Sequence, residues 1–313
     1  MMALVSRRDL RHFVTWSVLI LMMILLSTNA PAADVEILDS FGFDGNDPVD
    51  GPTSLVFDAE GRCYLLSQKA NEVAVFDREL VLERVIGAEG EGPGELQNTA
   101  AIVLHAGRLL VTTMGRTHRF TLDGTYESSI PSLYFTKLTS IHGQLIAVSS
   151  STGPTFAVVD ADLTVQRTFG PPSDWREEWK ILAGPDGGFV AFERHDGHAL
   201  AMDSAGNFGE RVDLGLGRGW WKGSRGKHAL SDVAFDPAGQ RYLILVYPEV
   251  DAAPILVEMN LALEERARWT VPDELGADEV AVDSEGRVFI SCYAGSMVYL
   301  VQAGGESQAS QRY

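Results

Sequence analysis

The residues best suited to chemistry fall in three short stretches. Glu193-Arg194-His195-Asp196-Gly197-His198 places two imidazoles and a carboxylate within four residues. Such groups ligate metals or move protons. A second stretch carries Trp220 and Trp221 with Arg218, Lys222, Arg225, Lys227 and His228. The third holds Trp175 and Trp179. Aromatic planes and guanidinium groups make large, orientable contacts, suited to an anionic or carbohydrate-like ligand or to a protein strand. Each stretch also has a structural reading. His195, Asp196 and His198 sit at i, i+1 and i+3, so they cannot converge from one strand and must lie in a loop, where solvated imidazoles are ordinary. Tryptophans in a long connection can serve to pack it onto its neighbours.

Other constellations are excluded by their setting. Gly90-Glu91-Gly92-Pro93-Gly94 precedes an apolar strand rather than a helix, and its acids would repel phosphate. Asp44-Gly45-Asn46-Asp47 begins like a calcium loop, but Pro48 occupies the next alternate ligand position. No Ser/His/Asp or Cys/His arrangement is indicated. The sequence therefore assigns no catalytic residue, no metal ligand and no cofactor.

The elements that must position these residues repeat along the chain. Leu55-Val56-Phe57-Asp58-Ala59-Glu60-Gly61-Arg62-Cys63-Tyr64 parallels Val280-Ala281-Val282-Asp283-Ser284-Glu285-Gly286-Arg287-Val288-Phe289, and Val233 to Tyr242 is a third copy. Each reads as a strand, an Asp-x-x-Gly turn and a second strand, the glycine supplying positive φ. Three weaker copies carry Gly107, Gly143 and Gly187. The separations from Gly61 through Gly107, Gly143, Gly187 and Gly239 to Gly286 are 46, 36, 44, 52 and 47 residues. That is the period of a four-stranded propeller blade, roughly 40 to 50 residues. A third strand ending in an acid or amide follows each of the first five copies, as in Glu72 to Asp77, and then a fourth. The sixth copy stops at its third strand, Met297 to Val301. Val35 to Gly42 is an orphan strand that can complete it and close the ring. The expected fold is all-β, a six-bladed β-propeller over residues 34–313.

The phrase strand–Asp-x-x-Gly–strand–Asn–strand–Phe-Asp, with Phe41-Gly42 and Gly87-Ala88-Glu89-Gly90-Glu91-Gly92-Pro93-Gly94-Glu95-Leu96, resembles the NHL-repeat family of six-bladed propellers. The resemblance spans essentially all of residues 34–313. It implies a blade in which the first strand runs beside the central channel. The fourth-to-first and second-to-third connections then share an upper face, where propeller ligands usually bind. Trp175 and Trp179, and the stretch from Trp220 to His228, fall in such connections. Asp44, Asp47, Asp50, Glu89, Glu91 and Glu95 fall over the first two blades. The expected upper face is acidic there and aromatic and basic over blades four and five. The family hosts protein-binding modules, an amidating lyase and hydrolases, so fold alone settles no activity. Its lyases place metal-binding histidines on channel-lining strands, whereas His105 and His142 fall in lower-face turns here and His118 on a third strand. Lactonase-type propellers bind a metal through Glu, Asn and Asp near the channel top. At that height this chain offers Asp232 with either Asp278 or Glu279, since neighbours on a strand face opposite ways. Two readings follow: a binding module for a protein or small molecule through the upper face, with Trp175, Trp179, His195, His198, Trp220, Trp221, Arg225, Lys227, His228 and Asp232 as candidate contacts, or a metal-dependent lyase or lactone hydrolase.

Residues 1–33 read as a targeting segment. Arg7, Arg8 and Arg11 precede an apolar run from Phe13 to Leu26, and Asn29-Ala30-Pro31-Ala32-Ala33 offers a cleavage site after Ala32 or Ala33. The run is short for a bilayer span, though an uncleaved anchor is the rival. Ser6-Arg7-Arg8-Asp9-Leu10 gives a partial twin-arginine signal beside ordinary secretion. The expected location is periplasmic or secreted. Loss of this segment takes the net charge from −18 to −20, which opposes nucleic acid and anionic membrane as partners. A membrane enters only through an uncleaved leader, and a monomer is expected. Cys63 and Cys292 fall in neighbouring blades but about 13 Å out of step along their strands, too far for a disulfide, so two free buried thiols are expected.

Overall fold

The computed structural model describes residues 33–42, 49–131, 137–149, 155–169, 179–193, 197–216, 230–248 and 253–302. Each of the six repeats forms one antiparallel sheet. The first blade is β3 (Pro52–Phe57), β4 (Cys63–Ser67), β5 (Glu72–Phe76) and β6 (Leu82–Ile86). The second is β7 (Thr99–His105), β8 (Arg108–Thr113), β9 (Arg116–Thr121) and β10 (Tyr126–Pro131). The third runs through β11 (Lys137–Ile141), β12 (Gln144–Ser149), β13 (Thr155–Val159) and β14 (Val165–Phe169). The fourth has β15 (Trp179–Ala183), β16 (Phe189–Glu193), β17 (His198–Met202) and β18 (Phe208–Asp213). The fifth has β19 (Leu230–Asp236), β20 (Arg241–Val246), β21 (Ile255–Asn260) and β22 (Glu265–Thr270), with the short β1 (Ala33–Asp34) at its outer edge. The sixth is β23 (Glu279–Val282), β24 (Val288–Cys292) and β25 (Met297–Gln302), completed by β2 (Glu36–Gly42).

The ring therefore closes through the N-terminal strand, as the missing sixth-repeat strand requires. β2 pairs antiparallel with β25 from Glu36 opposite Gln302 to Gly42 opposite Met297. Just before it, the Val35 N–H donates to the Thr270 carbonyl at 2.9 Å. Val35 is buried between the fifth and sixth blades. One stretch of chain thus ties two blades before passing into the first. Gly42 permits the last step, because a Cβ there would stand 2.3 Å from the Ser296 carbonyl oxygen.

Blades of this kind cover each other, so their middle strands need apolar residues on both faces rather than on alternate positions. Cys63-Tyr64-Leu65-Leu66-Ser67, Phe189-Val190-Ala191-Phe192-Glu193 and Val288-Phe289-Ile290-Ser291-Cys292 are buried throughout. Six apolar clusters result among the described residues, one at each blade-to-blade interface. The closing one, between the sixth blade and the first, joins Val49, Cys63, Leu65, Ala74 and Phe76 to Phe289 and Val298, with Phe41 against them. Cys63 and Cys292 are free and buried.

The lower-face turns show why the repeat keeps its Asp. Asp58 accepts the N–H groups of Glu60 and Arg62 on one oxygen, at 3.0 and 2.9 Å, and the Arg62 Nε at 2.7 Å on the other. Asp283 does the same for Glu285, Arg287 and the Arg287 Nε. Gly61 supplies the positive φ, at 86°. The fifth repeat differs. Asp236 is followed by one extra residue before its arginine, and Gln240 rather than Gly239 takes the positive φ, at 49°. Asp236 still accepts Gly239 N–H and Arg241 Nε.

Candidate functional site at the channel mouth

The six inner strands β3, β7, β11, β15, β19 and β23 follow one another around the ring, each approaching the next and β23 returning to β3. They enclose a channel with a cavity of about 520 Å³, within the range of small-ligand sites. Register fixes which residues share a level. Ser54, Ala101, Lys137, Lys180, Asp232 and Glu279 each lie opposite the corresponding second-strand residue: Leu66, Thr112, Val148, Phe192, Leu245 and Ser291. Each stands four residues before the position that opens its lower-face turn. One layer near the upper end of the channel thus carries two small residues, two lysines and two acids, in blade order.

The acids differ in their partners. Asp232, 8 % exposed, accepts Lys180 Nζ at 2.6 Å on Oδ1 and the Val280 N–H at 3.1 Å on Oδ2. Its neighbour Glu279 finds no hydrogen-bonding or ion-pairing partner among the described residues. Glu279 is half-buried in the channel wall. Burial, and then the negative charge of Asp232, push it up to about 8, against the opposing pull of Lys180 and Lys137. Lys137 is exposed and likewise without a partner among the described residues. Asp278 faces away, accepting the Tyr293 N–H at 2.8 Å. Of the adjacent pair, Glu279 is the one that lines the channel, as alternation requires.

The other predicted contacts scatter. His198 opens β17, two strands out from the channel. Its Nδ1 lies 3.0 Å from Arg211 Nη2 and 3.6 Å from Glu193 Oε2, and Arg211 grips the buried Glu193 at 2.8 Å. Trp179 opens β15 next to Lys180. Trp175, His195, Trp220, Trp221, Arg225, Lys227 and His228 lie outside the described residues, as do Asp44, Asp47 and the Asp44 to Pro48 loop. The expected acidic half is partly occupied. Asp50 pairs with Lys69 at 3.0 Å and accepts Ser296 Oγ at 2.9 Å, which holds its carboxyl below the usual range. Glu95 accepts its own loop's Gly92 N–H, while Glu89 and Glu91 are exposed.

The histidines of the lyase reading stay apart. His105 meets Ser140 Oγ at 3.0 Å, His142 meets the Gly188 carbonyl at 3.1 Å, and His118 is buried in β9. Among the described residues no three His, Cys, Asp or Glu side chains converge.

Sequence reasoning named Asp232 and Glu279 but missed Lys137 and Lys180. Each lysine merely falls at the start of an apolar strand, Lys137 first in β11 and Lys180 second in β15. Counting back four from all six turns would have aligned them.

No family model matches the sequence, and no curated protein sequence matches it. Solved β-propellers match the fold. Virginiamycin B lyase from Staphylococcus aureus is 8 % identical, with 87 % of this chain and 100 % of that one covered at a TM-score of 0.56. The β-propeller domain of Myceliophteria thermophila Cps50 (Swd1) is 11 % identical, covering 86 % and 100 % at 0.56. A chain of the mitotic checkpoint complex is 10 % identical, covering 88 % and 97 % at 0.59. At such identities the likeness is one of fold.

Proposed function

We propose that this chain is an exported, NHL-like propeller that works as a binding module, its ligand or partner engaging the upper face at the mouth of the central channel. The observation that carries this is the charged layer of Lys137, Lys180, Asp232 and Glu279 inside a cavity of ligand size. A structural ion pair would be satisfied by protein alone, as Lys180 and Asp232 are. Lys137 and Glu279 instead present polar groups to the channel with no partner among the described residues, and groups converging on a concave site are what orient a ligand. The leader of residues 1–33 directs the domain to the periplasm or outside, and its cleavage leaves Asp34 and Val35 to join the fifth blade.

A resident divalent metal suits this layer poorly. Asp232 already uses both oxygens, and its Lys180 ammonium at 2.6 Å would repel a dication beside it. The lyases among the similar structures share the fold at about one residue in ten, which transfers no activity.

Native mass spectrometry of the protein recovered from cells tests the reading against Ala101→Trp, which fills the small side of the same layer. A bound small molecule or partner on the wild type, lost from the plugged variant at unchanged melting temperature, supports it. The same adduct on the plugged variant places binding elsewhere and refutes it.

A further inference from the structure

Resting on the channel mouth as the binding site, we infer that the ligand is a small zwitterion, with an anionic group set on Lys137 and a protonated amine set on Glu279. The layer holds two lysines and two acids, and they are unevenly matched. Lys180 and Asp232, on adjacent blades, satisfy each other at 2.6 Å. That leaves one cation and one carboxyl without partners among the described residues. They belong to the third and sixth blades, which stand opposite each other in a ring of six. A single anion or a single cation can satisfy only one of them. A molecule carrying both charges at its two ends pairs with Lys137 and, once the Glu279 proton leaves, with its carboxylate. Ser54 and Ala101, in the first and second blades, keep one side of the layer free of bulk.

The groups facing Glu279 make a second, separable prediction. Asp232 on β19 and Asp278 beside β23 oppose its ionisation. Lys180 on β15 and Lys137 on β11 favour it, and β3 and β7 contribute no charge at this level. Burial holds the carboxyl largely protonated near neutrality. An arriving ammonium ion favours the carboxylate, so binding releases a proton to the buffer and tightens as pH rises from 6 to 8.

The probe is a series of ω-amino acids from glycine to 8-aminooctanoate, titrated calorimetrically into the purified protein at pH 7 in buffers of different ionisation enthalpy. The expected result is binding with an optimum at one chain length and net proton release. Glu279→Gln and Lys137→Met should each weaken it at least tenfold. Should either variant fail to fold, the ligand series in the wild type decides alone: dicarboxylates or diamines that bind as tightly as the amino acids refute the zwitterion. The matching dicarboxylates, diamines and neutral sugars separate the two claims. If one of them binds as well as the amino acids and Ala101→Trp abolishes it, the zwitterion is refuted and the channel site stands. If nothing in any series binds, or binding ignores Ala101→Trp, both fall.

Discussion

Phe41→Ala should unlock the ring. Phe41 lies on β2, the strand that closes the sixth blade, and its ring reaches across to the first. It meets Phe76 at 4.8 Å between centroids, tilted by 58°, and Phe289 at 6.5 Å, edge-on. A fully buried Phe→Ala change costs about 3–5 kcal/mol. Phe41 is half-buried, which brings the burial loss to about 2 kcal/mol, and the lost aromatic pair adds about 0.5–1 kcal/mol. For a domain of 280 residues the unfolding entropy is about 0.6 kcal/mol per kelvin, so the melting temperature should fall by about 4–5 °C. Val165→Ala is the matched control, since Val165 sits on the outer strand of the third blade and is 46 % exposed. Its change should stay under about 1 °C. Calorimetric melts of the three proteins decide. If Phe41→Ala tracks the control, β2 is a loose extension and the closure argument is wrong. Deleting residues 34–42 removes both Val35 and β2, and should abolish the cooperative transition.

Glu279→Gln should change how stability follows pH. The carboxyl lies at about 8 folded against an ordinary 4.5, so the unfolded chain binds fewer protons between those values and stability falls as pH rises through that window. The variant removes the fall. Its gain over wild type should be under about 1 kcal/mol at pH 5 and about 2 kcal/mol at pH 8, the partial exposure of Glu279 having cut a ceiling of about 4. A gain independent of pH would refute the burial of this group. Asp283→Ala strips two backbone N–H caps and the Arg287 partner from one turn, and should cost about 2–3 kcal/mol by denaturant midpoint; a neutral outcome would contradict the capping role. Cys63 and Cys292 should resist alkylation until the protein unfolds, because burial pushes the Cys63 thiol well up. A bridged mass before reduction would overturn the free-thiol assignment. Trp220→Ala or Arg225→Ala should abolish partner binding without moving the melt; a collapsed melt in both would show these residues pack the fold.

The architecture was legible because a propeller writes its period into the chain. The turns need Asp58, Asp236 and Asp283 for capping, so the repeats survive divergence elsewhere. The absent fourth strand after Val301 and the orphan before Gly42 pointed to the closure. The extra residue between Asp236 and Arg241 was visible too, but not its effect, since which residue takes positive φ depends on the turn as a whole. The charged layer was half-legible. Asp232 and Glu279 stand out as acids at strand starts. Lys137 and Lys180 look like ordinary solvated lysines until register aligns four separate blades at one level. Val35 gave no signal of its own, because its burial depends on the fifth blade's outer edge lying beside it.

The claim on which the functional reading turns is that four ionisable side chains from four blades share one level of an open channel. Carbon-detected NMR titration of the Glu279 carboxyl, in wild type and in Lys137→Met, measures that directly. The wild-type midpoint should fall near 8 and rise further in the variant, because a cation that favours the carboxylate has been removed. A midpoint near 4.5 that Lys137→Met leaves unmoved would mean that these groups do not face one another.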